Sequence, residues 1–520
     1  MHDITFAPPQ RALISVHDKT GLVALCRGLD ALGISLIASE GTAEALTRVG
    51  IPVTTIQAWT GSPEVLDGRV KSLHPKLHAG ILADRRRSHH MQELQAMQAE
   101  PIDLVICNLY PFAARWAAGE RRATLIENID IGGPTLLRAA AKNRDAGVLV
   151  LCDTADYDAL LTALRQRAPV ADKMRSELAA KAFRQVAEYD LAIASWCETP
   201  NSGTTAPALP EVLGGFIHCK NLRHGENPGQ AAALYRVPGE TGIAAADWMQ
   251  GPTPSYTNIL DLDTAARAVH GIGRAGCSIV KHTNLCGLAV REVQADALDA
   301  AFDGKTSVVG GATYGFNTPL QASTLQHLLT RKVKAVGIVA PNFASDALQL
   351  AQAVPDLALV QLGQNSTGPQ LHAHRVGGGL LLQTGLHLQL DPNSWRCPTR
   401  LPLAATQSGD AAFALHAASL LKSDGVAIVH RTRIVGAAGG QVTRDDAVGL
   451  ALHNAGSRSI GAVLASDGAF TTADCVQLAI EHGIAAIVQP GGTVADAECA
   501  AACDAYGVTM VLTGGRCFRH

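Results

Sequence analysis

The sequence predicts an α/β protein of more than one domain, on three observations. Short apolar runs of strand length alternate with longer helical patterns through both halves of the chain. A length of 520 residues exceeds what one hydrophobic core usually supports. Residues 198–211, with Pro200, Asn201, Gly203, Thr204, Thr205, Pro207 and Pro210, have the composition of a linker.

Taken in order, residues 12–16 read as a short apolar strand, and Asp18 is placed to cap a helix running to Leu32, where Gly33 supplies a left-handed stop. Residues 34–38 form the next strand, and Ser39-Glu40-Gly41-Thr42 turns into a helix from Ala43. Residues 103–109 and 147–153 supply further strands, and 171–197 a long helix. Strand-helix alternation of this kind implies a parallel sheet covered by helices. Ligands bind such sheets beyond the carboxyl ends of the strands, where Ser15, Ser39, Asn108 and Tyr110 fall. Past the linker, runs at 277–280, 334–340, 427–435 and 485–488 read as strands among Ala-rich helices, with no internal repeat evident. The expected domains are 1–197, a linker at 198–211, then 212–370 and 371–520.

Bulk properties exclude several classes of function. A net charge of −3 gives no field for nucleic acid or an acidic membrane. No apolar run approaches the roughly 18 residues of a membrane span, and residues 1–10 lack the basic-then-apolar order of a signal peptide. The twelve cysteines are scattered without a C-x-x-C pair, which favours reduced thiols in a cytoplasm over disulfides or structural metal. A literal H-x-E, His224-Gly225-Glu226, has no P-C-x-x-C after it, so zinc deaminase chemistry is unsupported.

The densest chemistry lies in Asp67-Gly68-Arg69-Val70-Lys71-Ser72-Leu73-His74-Pro75-Lys76-Leu77-His78. Burying this segment as a core strand would cost several kcal/mol per unpaired charge, so it reads as a loop presenting cations to an anion. Ser39-x-Gly41-Thr42 at a strand-to-helix turn offers N–H groups, a hydroxyl and a helix dipole to a phosphate. With Lys19, Arg69 and Lys71 from neighbouring loops it forms a candidate nucleotide pocket. Lys281-His282 follows an apolar run, and because adjacent strand residues face opposite ways, one of the pair must lie beyond the regular strand.

The 67–78 segment, Asn108-Leu109-Tyr110-Pro111-Phe112, Glu127 to Thr135, Leu222-Arg223-His224-Gly225-Glu226-Asn227-Pro228, Lys281-His282-Thr283-Asn284, Gln489-Pro490-Gly491-Gly492 and Phe518-Arg519-His520 together resemble the bifunctional purine-biosynthesis family that combines AICAR transformylase with IMP cyclohydrolase. The resemblance is collinear over nearly the whole chain. It implies a methylglyoxal-synthase-like parallel-sheet domain followed by two cytidine-deaminase-like α/β subdomains. It implies AICAR, FAICAR and IMP as ligands, 10-formyltetrahydrofolate as cosubstrate, no metal or tightly bound cofactor, and a homodimer.

By that resemblance Lys71, Tyr110, Asp130 and Lys142 are the cyclohydrolase residues, with Ser15, Lys19, Ser39, Gly41, Thr42, Arg69, Ser72, Asn108 and Gly132 around the nucleotide. Asp130 could instead merely cap the helix near Pro134, and Lys142 merely complement its C-terminal dipole. In the second half His282 suits the base that deprotonates a weakly nucleophilic aromatic amine. Lys281 would stabilise developing charge, and Arg223 and Arg444 would hold phosphate or carboxylate. His224 and Phe470 belong to the substrate pocket and Asp424 to the catalytic set. The departures from the family gather here: Asp424 for asparagine, His224 for tyrosine, Leu285 for proline, Ala469 to Thr472 for an aromatic folate-side motif, and Val308-Val309 in an eroded stretch. In the first half His17 and Glu40 replace small residues. Cyclohydrolase activity is thus the firmer expectation. The alternative is a second half that is slow, uses another formyl donor, or serves as a nucleotide-binding or dimerisation module.

Overall fold

The computed structural model describes residues 8–66, 68–166, 170–198, 215–237, 241–302, 310–363 and 371–520. Asp67, linker residues 199–211, Val308-Val309 and the division at residue 370 lie outside them. The chain divides into two compact units, 1–215 with 237–239, and 216–236 with 240–520.

The first unit is a five-stranded, wholly parallel sheet. Its order is Thr54–Thr55, Ser35–Ala38, Arg11–Val16, Leu104–Asn108, Leu149–Leu151. Leu13, Ile14, Leu104, Val105 and Ile106 are fully buried, as strands covered on both faces must be. The register Ile14↔Ala38 and Val16↔Asn108 brings the carboxyl ends level, so residues 15–19, 39–42 and 108–110 share one rim. Two helix starts differ from expectation. Asp18 caps only the Thr20 N–H (2.9 Å), and the helix begins at Leu22 after Gly21 at φ 71°. The next helix begins at Glu40, three residues before Ala43, with Ser39 extended ahead of it.

The second unit contains two larger sheets of mixed direction. One runs Asn284–Arg291, Ala275–Lys281, Ala312–Phe316, Ala335–Ala340, Ala358–Gln361, Asp247–Gln250; the other runs Ile434–Ala438, Val426–Val429, Val463–Ser466, Ala486–Gln489, Thr509–Leu512. The run expected as one strand at 427–435 is a hairpin, because Arg431 and Thr432 adopt φ of 53° and 50° and reverse the chain.

A repeat is present after all. Each sheet opens with an antiparallel hairpin, continues antiparallel to its third strand and parallel through the fifth. Gly287 and Gly436 pair with Ile279 and Ile428, and a Cβ on either glycine would overlap a helix carbonyl, Ala301 O or Ala451 O. The repeat escapes sequence inspection because its identity rests on backbone approach and strand order, which many apolar sequences satisfy.

Candidate active sites

At the rim of the first sheet, the Lys71 ammonium donates to the Tyr110 hydroxyl at 3.2 Å. Burial alone would lower the Lys71 pKa; the Tyr110 hydrogen bond and the charges of Glu64 and Asp130 overcome it and hold the group above its ordinary value. Asp130 lies close enough for that charge coupling. Its own carboxyl is raised by burial, opposed by the Gly133 N–H, Lys71, the Tyr110 backbone and His17. A half-buried cation, a phenol and a reluctant carboxylate therefore share one small volume.

Local sequence explains how they are held. Asp130 Oδ1 accepts the Gly133 N–H (2.8 Å), so it does cap the helix Gly132–Lys142. Its backbone N–H donates to Tyr189 Oη (2.7 Å), and that hydroxyl donates to Asn128 O (3.0 Å). A Cβ on Gly132 or Gly133 would push Ser72 Oγ or the Asp130 carboxylate, respectively, out of place. Asn108 Oδ1 accepts the N–H groups of His17 (2.6 Å) and Asp18 (3.0 Å), while its Nδ2 donates to Asp18 O (2.8 Å). Thr42 is buried and ties the second helix to Val16 through contacts of 3.3 and 3.4 Å, with Ser39 Oγ 3.1 Å away. The His17 ring meets Tyr110 edge-on at 5.2 Å, and burial, then Arg115 and Lys19, lower its pKa.

Other residues of the expected set stand apart. Arg69 pairs with Glu127 at the surface. His74 caps its helix through Nδ1 and meets Ser62, and Lys76 donates to Trp59 O (3.0 Å). Lys142 is exposed at the far end of the helix that Asp130 caps, about 15 Å along it at 1.5 Å per residue. There it lines a groove of about 480 Å³ with His78, Leu82, Arg138 and Phe183. Both structural roles considered for Asp130 and Lys142 are thus present in the geometry. Tyr189 was missed because a tyrosine in the 27-residue helix Asp172–Glu198 carries no local signal of its function. Glu40 Oε2 is buried without a hydrogen-bond partner at the start of the second helix.

In the second unit Lys281 ends its strand and His282 and Thr283 turn with φ of 54° and 61°. The turn leaves the His282 ring exposed and lets Lys281 Nζ donate to Gly310 O at 2.8 Å. Arg223 is exposed and lines a cavity of about 360 Å³ with Trp248, Asn258, Lys334 and Asp356. His224 turns its Nδ1 to Gly225 O (2.8 Å).

Arg444 and Phe470 are used differently from expectation. Arg444 is committed within the protein, to Asp424, to Asp467 (2.7 Å), to Ser466 Oγ and to Gly468 O (3.1 Å). Asp467 is fully buried and also accepts from Ser423 Oγ (2.5 Å). Arg444 is therefore engaged by two carboxylates of its own chain, where the expectation had it facing a ligand's phosphate or carboxylate. Phe470 is 1 % exposed within an aliphatic core, its N–H on Gln489 Oε1 (2.8 Å). No ring is left on that side for a folate to stack on from this residue. The Lys281-His282 turn and the Asp424–Arg444 pair lie on different sheets, and no hydrogen bond or ion pair among the described residues joins them.

Comparison with known proteins matches two family models, one after the other along the chain. An MGS-like domain model matches residues 21–135, and a model described as AICARFT/IMPCHase bienzyme matches residues 140–454. The chain is similar to bifunctional purine biosynthesis proteins PurH along its length. It is 37% identical over 521 residues to that of Rhodopirellula baltica (99% of each chain). It is 38% identical over 514 residues to that of Nostoc sp. (98% of this chain, 99% of the relative). It is 40% identical over 525 residues to that of Mycobacterium ulcerans (99% and 98%). With more than half of its residues inside the bienzyme model and relatives matched end to end, the chain belongs to the AICARFT/IMPCHase family of bifunctional purine biosynthesis proteins.

Proposed function

We propose that this chain carries out the last two steps of IMP synthesis: formyl transfer from 10-formyltetrahydrofolate to AICAR, giving FAICAR, and closure of FAICAR to IMP with loss of water. The observation that carries the reading is the Lys71–Tyr110 pair beside a half-buried Asp130 at the carboxyl rim of a parallel sheet. Ring closure needs a donor on the formyl oxygen and a group to orient or deprotonate the carboxamide nitrogen. Lys71 and Tyr110 polarise the oxygen, and Asp130, whose proton affinity is raised by burial, takes the amide. Ser15, Lys19, Ser39, Gly41, Thr42, Ser72, Asn108 and Gly132 surround the nucleotide, and Arg69 joins them by leaving Glu127. In the second unit His282 removes the amine proton and Lys281 steadies the charge, with Arg223 and His224 toward the nucleotide; no metal or tightly held cofactor enters either step. The cytoplasm is the proposed compartment.

Lys142 stabilises the tetrahedral alkoxide only if it reaches the formyl carbon, and its own helix holds it too far away. A homodimer supplies it from a second subunit, and the exposed Phe183 and Leu82 beside it are apolar surface suited to be covered. Mixing inactive Lys71→Ala and Lys142→Ala chains is then expected to restore about a quarter of wild-type cyclisation, since half the dimers are mixed and each has one intact site. No recovery after verified subunit exchange would place Lys142 in its own chain's site.

The direct test supplies AICAR and 10-formyltetrahydrofolate to the purified chain, with FAICAR cyclisation measured in parallel. IMP from both is the expected result. A second reading, a formyl-transfer half that is slow or uses another donor, is favoured by Asp424 and by the burial of Phe470. The Asp424 carboxylate, bound to Arg444, cannot donate the hydrogen bond that an asparagine amide would. IMP from FAICAR only would select it.

Glu40 bears on the first site as well. A carboxylate oxygen without a partner at a helix start opposes a phosphate arriving there. Glu40→Gly is expected to lower the FAICAR KM about five-fold, near the ~1 kcal/mol of two charges about 4 Å apart in water. An unchanged or higher KM would show that Glu40 faces away from the phosphate.

A further inference from the structure

The hairpin that carries His282 has a structural twin. In the first mixed sheet His282 and Thr283 are both left-handed, and Asp261, from the helix Tyr256–Val269, accepts the Thr283 N–H at 2.6 Å and faces the His282 N–H. In the second sheet Arg431 and Thr432 are both left-handed, and Asp410, from the helix Ala405–Ser419, accepts their N–H groups at 2.7 and 2.6 Å. The same carboxylate clamp is thus built twice, from the helix preceding each hairpin.

The two copies have different employment. The Arg431-Thr432 turn is docked: Val290 N donates to Thr432 O (3.0 Å), Thr432 Oγ1 donates to Val290 O (3.2 Å), and Arg291 reaches Arg431 O (2.8 Å). The His282 turn projects an exposed ring. Two successive non-glycine residues with positive φ cost of order 1–3 kcal/mol each and persist only where surroundings enforce them. The docked copy has such surroundings on two sides. Among the described residues, the His282 copy is braced by Thr283 and Asn284 of the turn itself and, from another element, by Asp261, which is 7 % exposed and sits behind it.

We propose that Asp261 is a positioning residue for formyl transfer, holding the two-residue left-handed turn that aims His282 at the substrate amine. This rests on the formyl-transfer reading above. Asp261 does not touch the substrate. It acts through the backbone, so its loss misplaces the base without removing it, and displacement of a catalytic group by about 1 Å can cost about 10²-fold.

The test compares Asp261→Ala, Asp261→Asn and Asp410→Ala in the full-length protein. Asp261→Ala is expected to lower kcat for formyl transfer about 10–100-fold, leaving the AICAR KM within about three-fold and FAICAR cyclisation intact. Asp261→Asn keeps one acceptor oxygen and should fall between. Asp410→Ala loosens the twin and should leave the kcat of formyl transfer within about two-fold of wild type, whatever it costs in Tm. Amide hydrogen exchange reads the clamp without turnover: Thr283 should exchange faster in Asp261→Ala and not in Asp410→Ala. Equal kinetic losses in both alanine variants, or unchanged Thr283 exchange in Asp261→Ala, overturn the proposal. A wild-type chain that transfers no formyl group refutes the function reading instead, and the exchange result still decides whether the clamp holds the turn.

Discussion

Replacing His282 by alanine is expected to slow formyl transfer by about 10²–10⁴-fold, the usual contribution of a general base, while FAICAR cyclisation is unchanged. The AICAR amine is conjugated with its ring and attacks only as its proton leaves. The imidazole stands exposed on a fixed turn with Lys281 anchored beside it. No other base comes from that hairpin: Thr283 Oγ1 and Asn284 Nδ2 both donate to His282 O, at 2.7 and 2.9 Å, and so brace the turn. The measurement is kcat for each half-reaction on one preparation. Loss of both activities would defeat the two-site reading, because the cyclisation residues all lie in the other unit.

Lys71→Ala is expected to have the reciprocal effect, lowering FAICAR cyclisation by about 10²–10³-fold, the scale of removing one preorganised donor from a developing oxyanion. The side chain is the donor to Tyr110, so alanine removes one polarising group and leaves the phenol unsupported. Since its folded pKa lies above that of an ordinary lysine, the ammonium persists through neutral and mildly alkaline pH. Wild-type cyclisation should accordingly show no alkaline loss attributable to Lys71 below about pH 10. Formyl transfer must remain. Cyclisation within three-fold of wild type would remove Lys71 from the chemistry.

What was legible in the sequence depended on what each residue type must do. The strands expected at 12–16 and 103–109, found at 11–16 and 104–108, were readable as mostly apolar runs, since strands buried on both faces admit little else. Gly33 was readable as a stop because a left-handed φ of 78° falls naturally to glycine. Lys71, Tyr110 and Asp130 were named from motif resemblance, and their meeting is a tertiary fact. Tyr189, Asp261 and Asp467 were not named. Each holds another residue of the candidate sites through a hydrogen bond across 59, 22 or 23 residues of sequence, a separation at which no local pattern exists. Arg444 was read as a ligand clamp because guanidinium groups suit phosphate; in the fold, two aspartates reach it first.

The docking of the Arg431-Thr432 turn has a further consequence, for colloidal behaviour. Asn284–Arg291 and Ile434–Ala438 are each the outermost strand of a mixed sheet, the position whose unsatisfied backbone groups recruit foreign strands. Here the two margins lie against one another within a single unit, through the Ala289↔Arg433 bridge and the Val290–Thr432 pair. A fold with two such sheets has two vulnerable margins, and here each covers the other. Charged or proline gatekeepers are then unnecessary along Leu285 to Val290, because the backbone edge they would guard is already covered.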